Sequence, residues 1–159
     1  MISDQEFLHG AAFLRMIDSG HKVTITHASH IHNSIYLIET DKNKSAVLFK
    51  ISTKPKSSWS FNVTKQEELA INKIHEEYPH FCVFIALICQ KDGICCLSEE
   101  QFWSIINKGT DVNTRYISVS RQSHGSYHVS GPGRQKMDRT IPQKNWPDAI
   151  LLNIQKHYE

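Results

Sequence analysis

Three of the ten histidines lie close together, at His27, His30 and His32. Two imidazoles and a carboxylate can hold a zinc ion, and Glu39 would have to fold in to supply the carboxylate here. The spacing of i, i+3 and i+5 matches no standard zinc motif. The pattern therefore favours a polar, loop-exposed histidine cluster whose charge changes at a pH of about 6.5. A metal site remains the alternative.

The four cysteines fall within one apolar segment, at Cys82, Cys89, Cys95 and Cys96. No CxxC pair occurs, and two adjacent cysteines do not form a standard zinc-ligand arrangement. We expect reduced, buried thiols that behave as small hydrophobic side chains. Unpaired thiols, and a first segment that does not read as a signal peptide, predict a cytoplasmic protein.

The strongest local charge lies between residues 115 and 144. Six cations face a single carboxylate there, so the local formal charge is +5 in a chain of net charge +2. Arg and Lys beside the glycine-containing stretch 131–133 suit contacts with phosphate groups. The predicted nucleic-acid-binding residues are Arg115, Arg121, Arg134, Lys136, Arg139 and Lys144. A solvated basic face and a docking surface for an acidic protein are the alternatives.

The elements that must position these side chains alternate in an α/β order. Capping boxes predict helix starts near residues 3, 64 and 98, and another helix is predicted from Trp146. In the first helix, Phe7, Ala11, Leu14 and Ile17 recur at helical spacing. Strands are predicted at 23–26, 34–39, 46–52, 81–89 and 94–97, with a short edge strand at 59–63 and a hairpin at 116–130.

Residues 1–159 are predicted to form a single domain, because no linker or repeat divides the chain. The predicted fold class is α/β, with a mixed central sheet and flanking helices. No apolar run is long enough for a membrane helix. The sequence also lacks a nucleophile elbow, a Walker motif, a dinucleotide fingerprint and an HExxH motif.

The order helix, three strands, helix, strand over residues 3–97 resembles the αβββαβ core of the PD-(D/E)XK, or restriction-endonuclease-like, superfamily. Residues 98–159 would then add a helix, the basic hairpin and loop, and a C-terminal helix. Within 46–52, Lys50 falls at the position of the family's lysine. Leu48 stands where the family has a glutamate, and Asn33 or Ser34 stands where it has an aspartate.

In that family the two carboxylates hold Mg²⁺, which activates a water for attack on phosphate. The resemblance therefore implies a degenerate metal site around Lys50. Relocated acids could restore it, and the candidates are Glu39, Glu6 and Glu68. The alternative is that none of these residues has a catalytic role: the three glutamates are solvated charges, and the Lys50 side chain extends to water.

Three functions follow as hypotheses. The first is a nuclease-fold domain that binds the nucleic-acid backbone through its basic C-terminal hairpin and loop, without a metal cofactor. The second is a protein-interaction subunit or inhibitor in a defence or mobile-element system, with a protein partner or a second copy of the chain. The third is an active Mg²⁺-dependent nuclease that uses the relocated acids.

Overall fold

The computed structural model describes residues 1–106, 115–132 and 136–152. Within them the chain is an α/β protein with four helices and two sheets. The helices are α1 (Asp4–Asp18), α2 (Lys65–Glu77), α3 (Glu99–Ile105) and α4 (Asn145–Leu151). The strands are β1 (Thr24–His27), β2 (Ile35–Glu39), β3 (Lys44–Ser52), β4 (Trp59–Asn62), β5 (Cys82–Cys89), β6 (Ile94–Ser98), β7 (Tyr116–Ser120) and β8 (His128–Ser130).

The three predicted capping boxes are confirmed. Before each of the first three helices, a Ser or Thr hydroxyl accepts the backbone N–H of the third helical residue, and that residue's side chain accepts the N–H of the cap. Each exchange satisfies two backbone donors that the first helical turn leaves without partners. Short polar signals therefore fix where α1, α2 and α3 begin.

The larger sheet is mixed, as predicted, with the strand order β1-β2-β3-β5-β6. β3 and β5 run parallel, and the other neighbouring pairs run antiparallel. One face of this sheet packs against α1 and α4, and the other packs against α2, α3 and the smaller sheet. β5 is covered on both faces, which explains its nearly continuous run of apolar residues.

The smaller sheet has the order β4-β7-β8, so β4 is an edge strand as predicted. Alternate side chains of its strands point inward, and Trp59, Phe61, Ile117, Val119 and Val129 are buried in the core shared with α2. The intervening side chains lie on the opposite face, because successive residues of a strand alternate between faces. In the described residues the side chains of this second face, which we call the open face, are exposed or half-buried.

The apolar stripe that predicts α1 does not face the core. Phe7, Leu14 and Ile17 are 63%, 58% and 56% exposed, whereas His9, Ala12 and Met16 on the opposite side are buried. The sheet covers the other side of the helix, where Leu8 and Phe13 also pack against the core, partly buried. An apolar periodicity predicts a helix without specifying what covers its stripe.

The four cysteines are free. Cys89, Cys95 and Cys96 are buried as expected, but Cys82 is exposed because it begins β5 at the sheet's end. Burial raises the pKa of Cys96 to about 12, so this thiol is protonated and inert at neutral pH. None of the helices in the described residues is both long and apolar enough to cross a membrane.

Candidate functional site

Lys50 lies near the end of β3 and contacts the N-terminal turn of α2. Its Nζ donates to both carboxylate oxygens of Glu67, at 2.8 Å to Oε1 and 2.6 Å to Oε2, and both side chains are about nine-tenths buried. The same Oε1 also accepts the backbone N–H of Thr64 at 2.9 Å. Glu67 thus serves both as a helix cap and as the counterion of Lys50. The sequence indicated only the first of these roles.

Glu68, the next residue of α2, belongs to a second buried ion pair. Its Oε2 lies 3.4 Å from Nη1 of Arg115 and 3.0 Å from Nζ of Lys65. Arg115 is 2% exposed, and its Nη2 donates to the carbonyl oxygen of Thr64 at 3.4 Å. The prediction that Arg115 contacts nucleic acid is therefore wrong, because its guanidinium lies between α2 and β7 and not at the surface.

The predicted catalytic residues do not come together. Glu39 pairs in register with Lys44, six positions along β3 from Lys50, which is a separation of roughly 20 Å. Glu6 is exposed and occupied in the capping box of α1, on the opposite face of the larger sheet. Of the predicted acids, Glu68 alone lies on the helix that contacts Lys50.

The acids near Lys50 are matched by cations. Glu67 and Glu68 face Lys50, Lys65 and Arg115, so two carboxylates stand against three positive charges. A divalent cation would have to displace an existing ion pair to bind there. Among the described residues, no group of three His, Cys, Asp or Glu side chains is placed to hold a metal ion.

The three histidines of the predicted cluster form hydrogen bonds with different partners. Nε2 of His27 bonds to the carbonyl oxygen of Asn33 at 2.8 Å, and its ring stacks on Tyr36. Nε2 of His30 lies 3.1 Å from Glu77, whereas Nδ1 of His32 accepts the backbone N–H of Ser34. The three imidazoles therefore do not converge on one point.

Arg121 is also engaged within the chain. Its Nε and Nη2 donate to the two carboxylate oxygens of Asp92 at 2.9 and 2.8 Å, and its Nη1 donates to two backbone carbonyl oxygens. Tyr127 and Gln143 complete the group, since the tyrosine hydroxyl donates to Asp92 at 2.9 Å and the amide donates to the Asp92 carbonyl oxygen. The Arg121 guanidinium is thus held by Asp92 in a bidentate pair, and its predicted contact with phosphate stays a prediction.

The remaining basic residues have a different status. Lys136, Arg139 and Lys144 are exposed, and Arg134 lies outside the described residues. Lys136 forms a bridge to Ser130, which places it along the outer edge of β8. Here the predicted basic segment meets the open face of the smaller sheet.

The open face of the smaller sheet is polar across its three strands. Ser60 pairs with Ser118, and Ser118 pairs with Ser130, so three hydroxyls lie side by side. Among the described side chains that these strands place on the open face, none is a carboxylate. The polar face, as we call it, consists of Ser60, Asn62, Tyr116, Ser118, Ser120, His128 and Ser130.

A cleft of about 190 Å³ lies at the β8 side of the polar face. Its lining includes Ser120, His128, Ser130 and Lys136, with Met137 as an apolar contact. The alternation of Ile117 and Val119 with serine in β7 was a usable sequence signal for this face, because it separates a buried row from an exposed hydroxyl row. The local excess of positive charge indicated Arg115 and Arg121 instead.

Comparisons of the chain with protein-family models, with curated proteins and with solved structures give no match.

Proposed function

We propose that this protein binds the backbone of nucleic acid on the polar face of its smaller sheet. The single observation that carries the proposal is the polar face itself. Seven polar side chains lie on three paired strands, with Lys136 at their border and no carboxylate among them. The proposal keeps the basic C-terminal segment as the binding region but replaces Arg115 and Arg121 with hydroxyl-bearing residues as contacts.

The chemistry of the polar face suits phosphate and sugar. Hydroxyl and amide side chains donate hydrogen bonds to phosphate oxygens, and these contacts position a nucleic acid without reading its sequence. Lys136 supplies a charge that favours phosphate over water. The rings of Tyr116 and His128 lie on the same face and offer surfaces on which unpaired bases can stack.

The charge available to this interface is modest. Of the predicted cations that the structure describes, Lys136, Arg139 and Lys144 are exposed. If all three contact phosphates, the log–log dependence of affinity on salt has a slope of about −2 to −3. We therefore expect binding that is measurable at low salt and weak at physiological salt.

We propose in addition that the fold is restriction-endonuclease-like, with a degenerate metal site. The order α1, β1, β2, β3, α2, β5, interrupted by β4 between β3 and α2, supports this assignment, as does the position of Lys50 on β3 next to the start of β2. The ion pairs around Lys50 favour a structural role over an active Mg²⁺ site. Nucleic-acid binding without cleavage is the combination that these observations support.

The alternative function, a protein-interaction subunit, has support from a different surface. The solvent-facing side of α1 carries three large apolar side chains that no described residue covers. This surface lies on the opposite side of the larger sheet from the polar face. The two functions are therefore compatible in one molecule.

The experiment is fluorescence anisotropy with labelled single-stranded DNA, single-stranded RNA and duplex DNA, each over a series of salt concentrations. Lys136→Ala should weaken binding to every bound form and reduce the salt slope by about 1. Lys42→Ala is the matched control, because Lys42 is an exposed lysine in the turn between β2 and β3. Absence of binding to all three nucleic acids at low salt would overturn the proposal.

A further inference from the structure

The solvent-facing side of α1 carries an apolar stripe that the described residues leave uncovered. Phe7, Gly10, Leu14 and Ile17 follow the spacing i, i+3, i+7 and i+10, which is the seam pattern of paired helices. The three large members are each more than half exposed. Contiguous exposed apolar surface of this kind marks an interaction site. We define the α1 stripe as Phe7, Gly10, Ala11, Leu14 and Ile17.

Gly10 is the second observation. Glycine in a helix interior costs about 1 kcal/mol relative to alanine. A Cβ added at Gly10 would meet no heavy atom within 4 Å, so packing against the described chain does not require a glycine there. A glycine in the middle of an apolar stripe allows another helix to approach closely, as small residues do at helix–helix contacts.

The charges beside the α1 stripe indicate what the other helix is. Asp4 and Arg15, both exposed, are eleven residues apart, which is about three helical turns and returns to the same flank of the stripe. In a twofold pair of antiparallel helices, each flank faces the same flank of the partner with its ends reversed. Asp4 of one chain then meets Arg15 of the other, twice. In a parallel pair, the flank that carries Asp4 and Arg15 would face the other flank of the partner helix, so these two side chains would not meet.

We propose that the protein forms a homodimer through antiparallel packing of α1 against α1 of a second copy. Phe7 and Leu14 of each chain pack near the Gly10 of the other, and the Asp4–Arg15 pairs flank the contact. The helix is 15 residues long, or about 22 Å, so the contact is small. We expect reversible association with a dissociation constant in the range of about 1–100 µM, because interfaces of this size are weak. This proposal does not depend on nucleic-acid binding.

Sedimentation velocity of the full chain over about 1–200 µM tests the proposal. Leu14→Glu should raise the dissociation constant at least about tenfold, because it places a charge in the seam. Leu69→Glu is the matched control, since Leu69 is an exposed leucine at 54% on α2, and it should leave association unchanged. Far-ultraviolet circular dichroism of both variants checks that they fold, which is expected because both positions face solvent.

A charge exchange tests the orientation. Asp4→Arg and Arg15→Asp should each weaken association several-fold, and the double variant should restore it, because each interchain pair is then re-formed with reversed sign. Three results would overturn the proposal: a monomer at all concentrations, a dimer unaffected by Leu14→Glu, or a double variant no better than either single variant. A monomer that instead copurifies with a different protein would also overturn it.

Discussion

At the residue scale, His9 is held in its neutral form by its surroundings. The side chain is 3% exposed, lies against the rings of Tyr36 and Phe49, and shares a hydrogen bond of 3.1 Å with the Tyr36 hydroxyl. Burial, with a smaller contribution from the nearby His27, lowers the pKa of His9 to about 4. The imidazole therefore resists protonation over a range in which the unfolded chain takes up a proton.

This shift predicts a loss of stability in mild acid. Because the folded pKa is below the unfolded value, the free energy of unfolding should be fully present above a pH of about 6.5 and fall by up to about 3 kcal/mol as the pH decreases towards 4. Urea denaturation at several pH values measures this decrease in the free energy of unfolding. His9→Gln should flatten the curve between those limits, and a curve of unchanged shape in the variant would show that another group is responsible.

The Lys50–Glu67 pair gives the second prediction at this scale. Lys50→Ala should lower the free energy of unfolding by about 3 kcal/mol, because it leaves the buried Glu67 without its counterion. The double variant Lys50→Met with Glu67→Gln should cost less, since neither charge then remains in the interior and glutamine preserves the cap. Chemical denaturation measures both. A Lys50→Ala variant as stable as the parent chain would contradict a structural role for the pair.

At the element scale, Asp92 connects the turn between β5 and β6 with the segments that follow β7 and precede β8. The hydrogen bonds from Arg121, and a further one from Tyr127, lower the pKa of Asp92. A lowered carboxyl pKa stabilises the fold above the unfolded value of about 4, and this stabilisation is lost as the pH falls through the folded pKa. The hydrogen bonds of Asp92 with Arg121 and Tyr127 therefore connect the larger sheet to the smaller sheet at neutral pH.

Arg121→Ala should destabilise the chain by about 1–3 kcal/mol, because Asp92 loses two charge-assisted hydrogen bonds. It should leave the affinity for nucleic acid unchanged at a temperature where the variant is folded. Arg139→Ala is the matched control, since its side chain is exposed, and its effect on stability should be within about 0.5 kcal/mol. Thermal denaturation and anisotropy together measure the two effects. A stable Arg121→Ala variant with weakened binding would restore Arg121 as a contact.

Elements were more predictable than the contacts between them. Capping residues such as Ser3 and Thr64 act on backbone groups within one turn, so the sequence alone indicates where α1 and α2 begin. The face of α1 that meets the sheet was not predictable in this way, because His9 and Met16 are buried by a sheet formed from distant segments. Local signals fix helix starts, and tertiary packing decides which face is buried.

The residues of the candidate site show the same difference between local signals and tertiary contacts. Glu67 is separated from Lys50 by 17 positions and Arg121 from Asp92 by 29, so no local pattern indicates these pairs. A count of cations treats Arg115 and Arg139 alike, although one is buried and the other exposed. The alternating serines of β7 were the better predictor, because strand alternation relates directly to exposure.

At the scale of the whole molecule, two surfaces with different chemistry lie on opposite sides of the larger sheet. The polar face belongs to the smaller sheet on the α2 side, and the α1 stripe lies on the other side. Antiparallel pairing through α1 would therefore leave both polar faces uncovered. A dimer of this kind would present two copies of the proposed nucleic-acid site, and simultaneous binding of both to one strand would increase the apparent affinity.

The measurement that most directly tests the central claim is a titration of isotope-labelled protein with an oligonucleotide, followed by backbone amide chemical shifts at low salt. We predict that the largest shifts fall on β4, β7 and β8, including Ser118, Ser120 and Ser130, and on Lys136. Ser120→Asp should abolish them, because a carboxylate in the cleft repels phosphate, whereas Ser29→Asp, in the exposed turn after β1, should not. Shifts confined to other surfaces, or no shifts at all, would contradict the account.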